Sequence, residues 1–503
     1  MNDRDSARRF HESTKHGTPP SNPERLVDYR RLDPRNAPKP FKSYRDLDGE
    51  RLPRHLVDSS LPATAVLGGE KGDARPLDSS LLATLLFLSA GVTRMAGPPG
   101  RRIYFRAAMS AGNLHPIEVY VVVGEGGVKG VGSGVYHFSP LDFTLTPLRE
   151  GDCRGSLGIP APLAIVLTGI PWRTTWKYGE RGWRHLYWDS GTMLANLLAV
   201  ADAQGLDHRT LLGFDDQAVS DLLGIGGDDE MPLAIVAVGA VGGMEPPPPR
   251  DLEPLSLDVS PVAPRPVQLP LLQEAQTGST LSAGDVPVWR DAGSRIVRSA
   301  PPKIAGPFAS EDPIETVILR RGSTRRMLRR TVSHDQLDWP MAAATRSTGI
   351  GVIPDGTLLD HYVAVHAVDG LDSGAYHQVV NGLLLLRRLD SQREQSAALC
   401  LGQPLGGDSA YTVFHCAELD PIRESLGSRG YRVAQLEAGI VSGRLALCAF
   451  SLGLGATGLT FFDDPVSRFL GTSAAPMLVT SVGVAATPPA PAGTPGEPAA
   501  LHA

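Results

Sequence analysis

Cysteine is scarce in this chain: Cys153, Cys400, Cys416 and Cys448 are the four in 503 residues, and none stands at the short spacing of a zinc site or a redox pair. A disulfide framework is therefore excluded, and reduced, buried thiols are expected. Positive charge is not in surplus either. A net charge of −6 argues against nucleic acid as a partner, and the arginine-rich stretch 320–330 is too short to reverse that balance. Uninterrupted apolar runs are missing as well. Segment 186–203 is broken by Asp189, Asn196 and Asp202, and segment 433–452 by Glu437 and Arg444, residues costly to bury in a bilayer. Both segments are expected as buried interface helices, with no membrane span. The opening residues, Met-Asn-Asp-Arg-Asp-Ser-Ala-Arg-Arg, contain no apolar signal core, so a cytoplasmic location is expected. His11 and His16 lack further ligands at matching spacing, and no metal is expected.

What the chain does contain is a copy of itself. Arg181-Gly182-Trp183-Arg184, Asp189-Ser190-Gly191, Gly205-Leu206 and Phe214-Asp215-Asp216 recur as Arg429-Gly430-Tyr431-Arg432, Glu437-Ala438-Gly439, Gly453-Leu454 and Phe462-Asp463-Asp464, always 248 residues later. Ser133-Gly134-Val135-Tyr136-His137 recurs as Ser373-Gly374-Ala375-Tyr376-His377 at an offset of 240. The division that follows is an N-terminal extension or docking arm over 1–75, a first domain over 76–242 and a Pro-rich linker over 243–310. A second domain over 311–486 and a disordered tail over 487–503 complete it. Helical spacing after Asp78-Ser79, strand-like 117–123 and 164–167, the helix 186–203 and closing strands at 234–241 and 477–484 give an α+β class. Arg184 and Arg432 are expected to pair with Asp189 and Glu437 as framework. His137 and His377, kept in both copies, are expected to be structural.

The polar motifs are not duplicated. Arg321-Gly322-Ser323-Thr324-Arg325 occurs only at the start of the second copy, after a strand-like Val317-Ile318-Leu319 and before an expected helix. Two guanidinium groups and a hydroxyl at that spacing suit a terminal phosphate, although a solvated basic face has the same composition. Ser110-Ala111-Gly112-Asn113-Leu114-His115-Pro116 occurs only in the first copy, where small residues permit close approach to a flat ligand or simply form a turn. Lys177-Tyr178 is faced in the repeat by Ser425-Leu426, so one composite site is expected where two identical ones would otherwise stand.

These motifs resemble the FMN-dependent nitroreductase superfamily, with its Arg-x-Ser-x-Arg/Lys phosphate motif and its Ser-Ala-x-Asn flavin loop from the opposite subunit. Leu88-Ser89-Ala90-Gly91-Val92-Thr93-Arg94 and Trp176-Lys177-Tyr178-Gly179-Glu180-Arg181-Gly182 resemble more narrowly the SagB/ThcOx-type dehydrogenases. The resemblance implies two tandem nitroreductase-like domains, each a mainly antiparallel sheet flanked by helices, paired as an intramolecular pseudo-dimer around one FMN. It implies that Arg321, Gly322, Ser323 and Arg325 hold the phosphate side, that Ser110, Ala111 and Asn113 reach the flavin from the other copy, and that Gly458, Leu459 and Thr460 line its reactive nitrogen. Lys177 and Tyr178 match the catalytic pair. The implied activity is oxidation of an azoline ring in a peptide or peptide-like product to the azole, with a cyclodehydratase as partner. An NAD(P)H-dependent nitro or quinone reductase and a flavin-binding scaffold of a peptide-modifying complex are the alternatives. Met109, Asn113 and His115 depart from the usual loop and imply a shifted substrate preference.

Overall fold

The computed structural model describes residues 5–17, 32–226, 229–296, 310–353 and 356–501. The first half runs α1 (Ser6–Ser13), β1 (Glu50–Arg51), α2 (Ala63–Leu67), α3 (Ser79–Ala90), β2 (Val92–Ala96), β3 (Ile103–Arg106), β4 (Ile117–Val123), β5 (Gly134–Ser139) and β6 (Thr144–Glu150). It continues with β7 (Leu163–Gly169), α4 (Pro171–Tyr178), α5 (Gly182–Ala203), β8 (His208–Leu211), α6 (Asp216–Leu223) and β9 (Met231–Val238). The second half has α7 (Pro270–Thr277), α8 (Asp285–Ser294), α9 (Ile314–Arg320), β10 (Met327–Leu328), α10 (Asp335–Ala344), β11 (Leu359–Val365), β12 (Gly374–Val379) and β13 (Gly382–Arg388). After these come α11 (Gln392–Leu399), α12 (Leu405–Asp408), β14 (Tyr411–Ala417), α13 (Leu419–Ser451), β15 (Gly455–Leu459), α14 (Asp463–Leu470), β16 (Ala475–Ala485) and β17 (Ala499–Leu501).

Each half folds into one antiparallel sheet, ordered β1-β6-β5-β4-β7-β9-β8 in the first and β10-β16-β14-β11-β12-β13 in the second, with β15 also on β16. The shared order β6-β5-β4-β7-β9 and β13-β12-β11-β14-β16 is the repeat in three dimensions. Asp78 caps α3, its carboxylate accepting from the N–H groups of Ser80 and Leu81, as the sequence suggests.

The two halves meet along α5 and α13. Every residue of α5 is buried, as is α13 from Ser428 onward. The repeated glycines are where they cross: a Cβ on Gly191 would lie 2.5 Å from the Leu436 carbonyl oxygen, and one on Gly439 would lie 2.6 Å from that of Trp188. Close backbone approach thus demands glycine at both points. Helix α13 is long and apolar enough to cross a membrane, yet its apolar window is wholly buried in the protein. It is a core helix.

The expected pairing of Arg184 with Asp189, and of Arg432 with Glu437, is not what forms. The arginines pair across the halves. Arg181 and Arg184 hold Asp463 at 2.9 and 2.7 Å, while Arg429 and Arg432 hold Asp216 at 2.5 and 3.2 Å. Arg181 also lies over the Phe461 ring and Arg429 over that of Phe214. The true register here is therefore 247, matching Phe214 to Phe461 and Asp216 to Asp463. Asp215 instead caps α6, where its counterpart is Phe462. The arginines hold the buried Asp463 carboxyl well below the usual carboxylate range, against the opposing effect of burial. Its folded-state affinity for protons is depressed, so its contribution to stability is present above the unfolded value near 4 and disappears as pH falls. Asp463→Asn leaves Arg181 and Arg184 without their counter-charge and should cost about 3–5 kcal/mol, measured by denaturant unfolding.

Three segments expected to lie outside the two domains pack on them. In the expected N-terminal extension or docking arm, α1 packs inward onto the same chain, with Phe10 against Trp183 at 4.8 Å and His11 Nδ1 3.1 Å from the Tyr431 hydroxyl. The Pro-rich connector has α7 and α8, whose Leu272, Ala275 and Trp289 join the main core. It also supplies the second copy of α1's surroundings. Arg181 donates to Thr14 O and His16 N to Asp463, just as Arg429 donates to Ser279 O and Leu281 N to Asp216. The expectation of a disordered tail is not met over its described residues 487–501, where β17 pairs parallel to β2 through Ala499–Arg94, Ala500–Met95 and Leu501–Ala96.

Candidate functional site

Both halves and the tail close around one cavity of about 420 Å³. The first half contributes Arg94, Arg106, Met109, Ser110, Asn113 and His115; the second contributes Arg320, Arg321, Gly322, Ser323, Thr324 and Arg325. The expected strand before the arginine motif is instead the helix α9, and no helix begins after it: residues 321–326 form an extended loop leading into β10. A phosphate there would be met by side chains and loop N–H groups rather than by a helix start. Thr324 N donates to Ala456 O, fixing the loop on β15.

The cavity walls include five arginines and no carboxylate. Arg320 is balanced by Asp312 at 2.8 Å. Arg321 is not balanced. It is 4% exposed, Nη2 donates to Ala107 O across the interface, and Nε and Nη1 have no partner among the described residues. Burial, then the neighbouring Arg94, lower its proton affinity to about 9, which still leaves it charged at neutral pH. A buried cation with unused donors needs an anion, and a phosphate meets that need bidentately. The residues present fit the phosphate end of FMN.

The first-half loop is held from behind. Ser110 Oγ donates to Asp189 Oδ2 at 2.5 Å and accepts from His115 N at 2.8 Å, and Ala111 N donates to Asp189 Oδ1 at 3.0 Å. Asn113 Nδ2 donates to Tyr104 O at 2.9 Å, and its Oδ1 meets His115 Nε2 at the same distance. Ser110 and Asn113 thus line the cavity with polar groups that also shape the loop. Ala111 lies outside the lining, as do Gly458, Leu459 and Thr460, which sit on and just after β15 behind the arginine loop.

Asp189 was missed as a site residue because its repeat partner Glu437 made it look like framework. Burial raises its carboxyl to about 7, with the Ser110 and Ala111 bonds opposing. Its stabilising contribution is full below the unfolded value near 4 and is lost as pH rises through 7, loosening the loop. Glu437, also raised to about 7 by burial, behaves alike. Asp189→Asn should therefore reduce, without abolishing, the fall in stability between about pH 4 and 7, as followed by thermal unfolding.

Helix α4 delivers Lys177 and Tyr178 to this loop. Gly112, at φ 64°, permits it: a Cβ there would stand 2.6 Å from the Tyr178 hydroxyl and 3.0 Å from Lys177 Nζ. Lys177 Nζ lies 5.3 Å from the Tyr178 ring centre, and that ring packs on His185 at 4.1 Å. Burial, then the positive charge of Arg325, lower the pKa of Lys177. Buried Arg173 on α4 donates to His115 O and pairs with Glu118, and Glu118 also meets His137 at 2.8 Å. That network ties α4 to the loop.

Residues 42–240 match the Nitroreductase family. The chain carries a nitroreductase-family domain. It is 29% identical over 173 residues to a Methanocaldococcus jannaschii protein that is a nitroreductase by name, covering 33% of this chain and 81% of that one. It is 31% identical over 146 residues to the Microcin B17-processing protein McbC of Escherichia coli, covering 26% of this chain and 53% of McbC. A crystal structure from Anabaena variabilis, also a nitroreductase by name, superposes with a TM-score of 0.73 at 27% identity. That match covers 95% of this chain and 99% of the other, so both halves and their mutual arrangement recur there. Within the nitroreductase fold seen here, the second half supplies the arginine loop and the first half the small-residue loop. Among the described residues no group of three or more His, Cys, Asp or Glu could hold a metal ion.

Proposed function

We propose that this chain is an FMN-dependent dehydrogenase of the SagB type that oxidises an azoline ring in a peptide or peptide-like intermediate to the azole. The observation that carries the cofactor is the buried, unpaired Arg321 in a cavity without carboxylates. Arg321, Ser323 and Arg325 would hold the phosphate, with Gly322 leaving the loop open. Bound FMN supplies the two-electron acceptor for a hydride, and aromatisation also releases a proton. Lys177, whose ammonium form is weakened by burial and by Arg325, accepts that proton, with Tyr178 positioned beside it to pass it on. The similarity to McbC, a microcin-processing protein by name, supports a peptide substrate, and the family resemblance implies a cyclodehydratase partner.

One FMN per chain is expected. In the first half, the segment between α2 and α3 lies flat on the end of α5: Gly72 N donates to Asp202 O at 2.8 Å, and a Cβ on Gly72 would meet Ala203 O at 2.1 Å. By the repeat offset this segment stands where the arginine loop stands in the second half, and it lacks the Arg-x-Ser-x-Arg pattern.

Incubation of the yellow protein with azoline peptides should bleach the flavin anaerobically and give a two-hydrogen mass loss in air. Fast bleaching by NAD(P)H without any effect of azolines would instead identify a nitro or quinone reductase.

A further inference from the structure

The tail, residues 487–501, returns across the interface and forms part of the cavity wall through Thr487, Pro488, Pro489, Ala490 and Leu501. Arg94, 7% exposed, is its anchor. One guanidinium donates to Ala490 O at 2.8 Å, to Pro491 O at 3.1 Å and to Arg321 O at 3.3 Å, and also to Leu319 O. The carbonyls of the tail are therefore held beside the backbone of the arginine loop. Farther along, Gly493 N donates to Thr93 O at 2.8 Å, Glu497 meets Arg54 at 2.7 Å, and β17 completes the three-stranded sheet with β2 and β3. Prolines at 488, 489, 491, 495 and 498 limit the freedom this segment has when released, lowering the entropy cost of keeping it in place.

We infer that this strap is a specificity element: it walls off the cavity next to Arg321, so that the site retains a mononucleotide flavin and excludes a flavin whose phosphate is extended by an adenylyl group. The inference rests on the FMN reading above. A ligand ending in a monophosphate terminates at Arg321; one that continues past the phosphate meets residues 487–491. Arg94, which clamps strap and loop together, acts as a positioning residue.

The test compares the full chain, a chain ending at Ala486 and Gly493→Val. A Cβ at position 493 would lie 2.1 Å from Glu497 O and 2.4 Å from Ala499 N, so the substitution loosens the strap while every lining residue stays. FMN dissociation is followed by the recovery of flavin fluorescence, and binding of FAD to flavin-free protein by ultrafiltration. The full chain should retain FMN and refuse FAD; both altered chains should release FMN at least about tenfold faster and take up FAD. Unchanged FMN release with FAD still refused overturns the strap's role and leaves the flavin assignment standing. Failure of all three chains to bind any flavin overturns both. Should the shortened chain not fold, Gly493→Val decides alone.

Discussion

Arg321→Met should give a colourless protein that is more stable than the flavin-free parent. The guanidinium is buried, makes one backbone hydrogen bond and faces no carboxylate. Without a bound anion its desolvation is poorly offset, and an apolar side chain of similar length removes that cost; replacements of buried charges by well-packed hydrophobic residues gain about 1–4 kcal/mol. The same change removes a desolvated charge-assisted contact to phosphate, a loss of about 2–5 kcal/mol or more in binding. The two effects have opposite signs, which separates a ligand-binding arginine from a framework one. Arg184 or Arg432, each buried against an aspartate of the other half, should show only destabilisation on the same replacement. Thermal unfolding of flavin-free protein and FMN titration provide both readings.

Lys177→Ala and Tyr178→Phe should retain FMN yet lose most turnover of an azoline peptide, by about 10²–10⁴-fold for the proton acceptor. Neither residue lines the cavity, both standing behind Gly112 of the first-half loop, so cofactor affinity is not the quantity at stake. Because burial and Arg325 lower the Lys177 pKa, the fraction of free amine grows with pH. The single-turnover rate of flavin bleaching should rise over that limb in the parent. In Lys177→Ala it should become flat. A parent-like rate and profile in Lys177→Ala would remove the lysine from the chemistry.

The sequence shows the repeat clearly, because two halves that pack through equivalent helices must keep the same glycines at the crossing and the same arginines beside it. It does not show whom those arginines meet. Asp189 stands five residues from Arg184 and looks like its partner, but in the fold Asp189 supports the Ser110 loop while Arg184 reaches Asp463 in the other half. The Phe-Asp-Asp match conceals a one-residue shift between Gly205 and Phe214, since either aspartate of the first copy satisfies the pattern and only packing of Phe214 under Arg429 selects the register. Composition misleads most where proline is dense. The connector's apolar residues are scattered among prolines and the tail has hardly any, yet α7 and α8 dock on the shared core and the tail is held by carbonyls, to which side-chain patterns are blind. The arginine motif, by contrast, is legible from its absence in the first half, where the corresponding residues 72–75 bond through their backbone to the end of α5.

The central claim is one phosphate-bearing flavin held between two unequal halves, and the most direct measurement is the amount and identity of flavin released on denaturing a known quantity of purified chain. A ratio of one FMN per chain, falling to none in Arg321→Met, is the predicted result. A parent chain that binds no flavin even when FMN is supplied, one that holds two, or an Arg321→Met chain that stays yellow would contradict it.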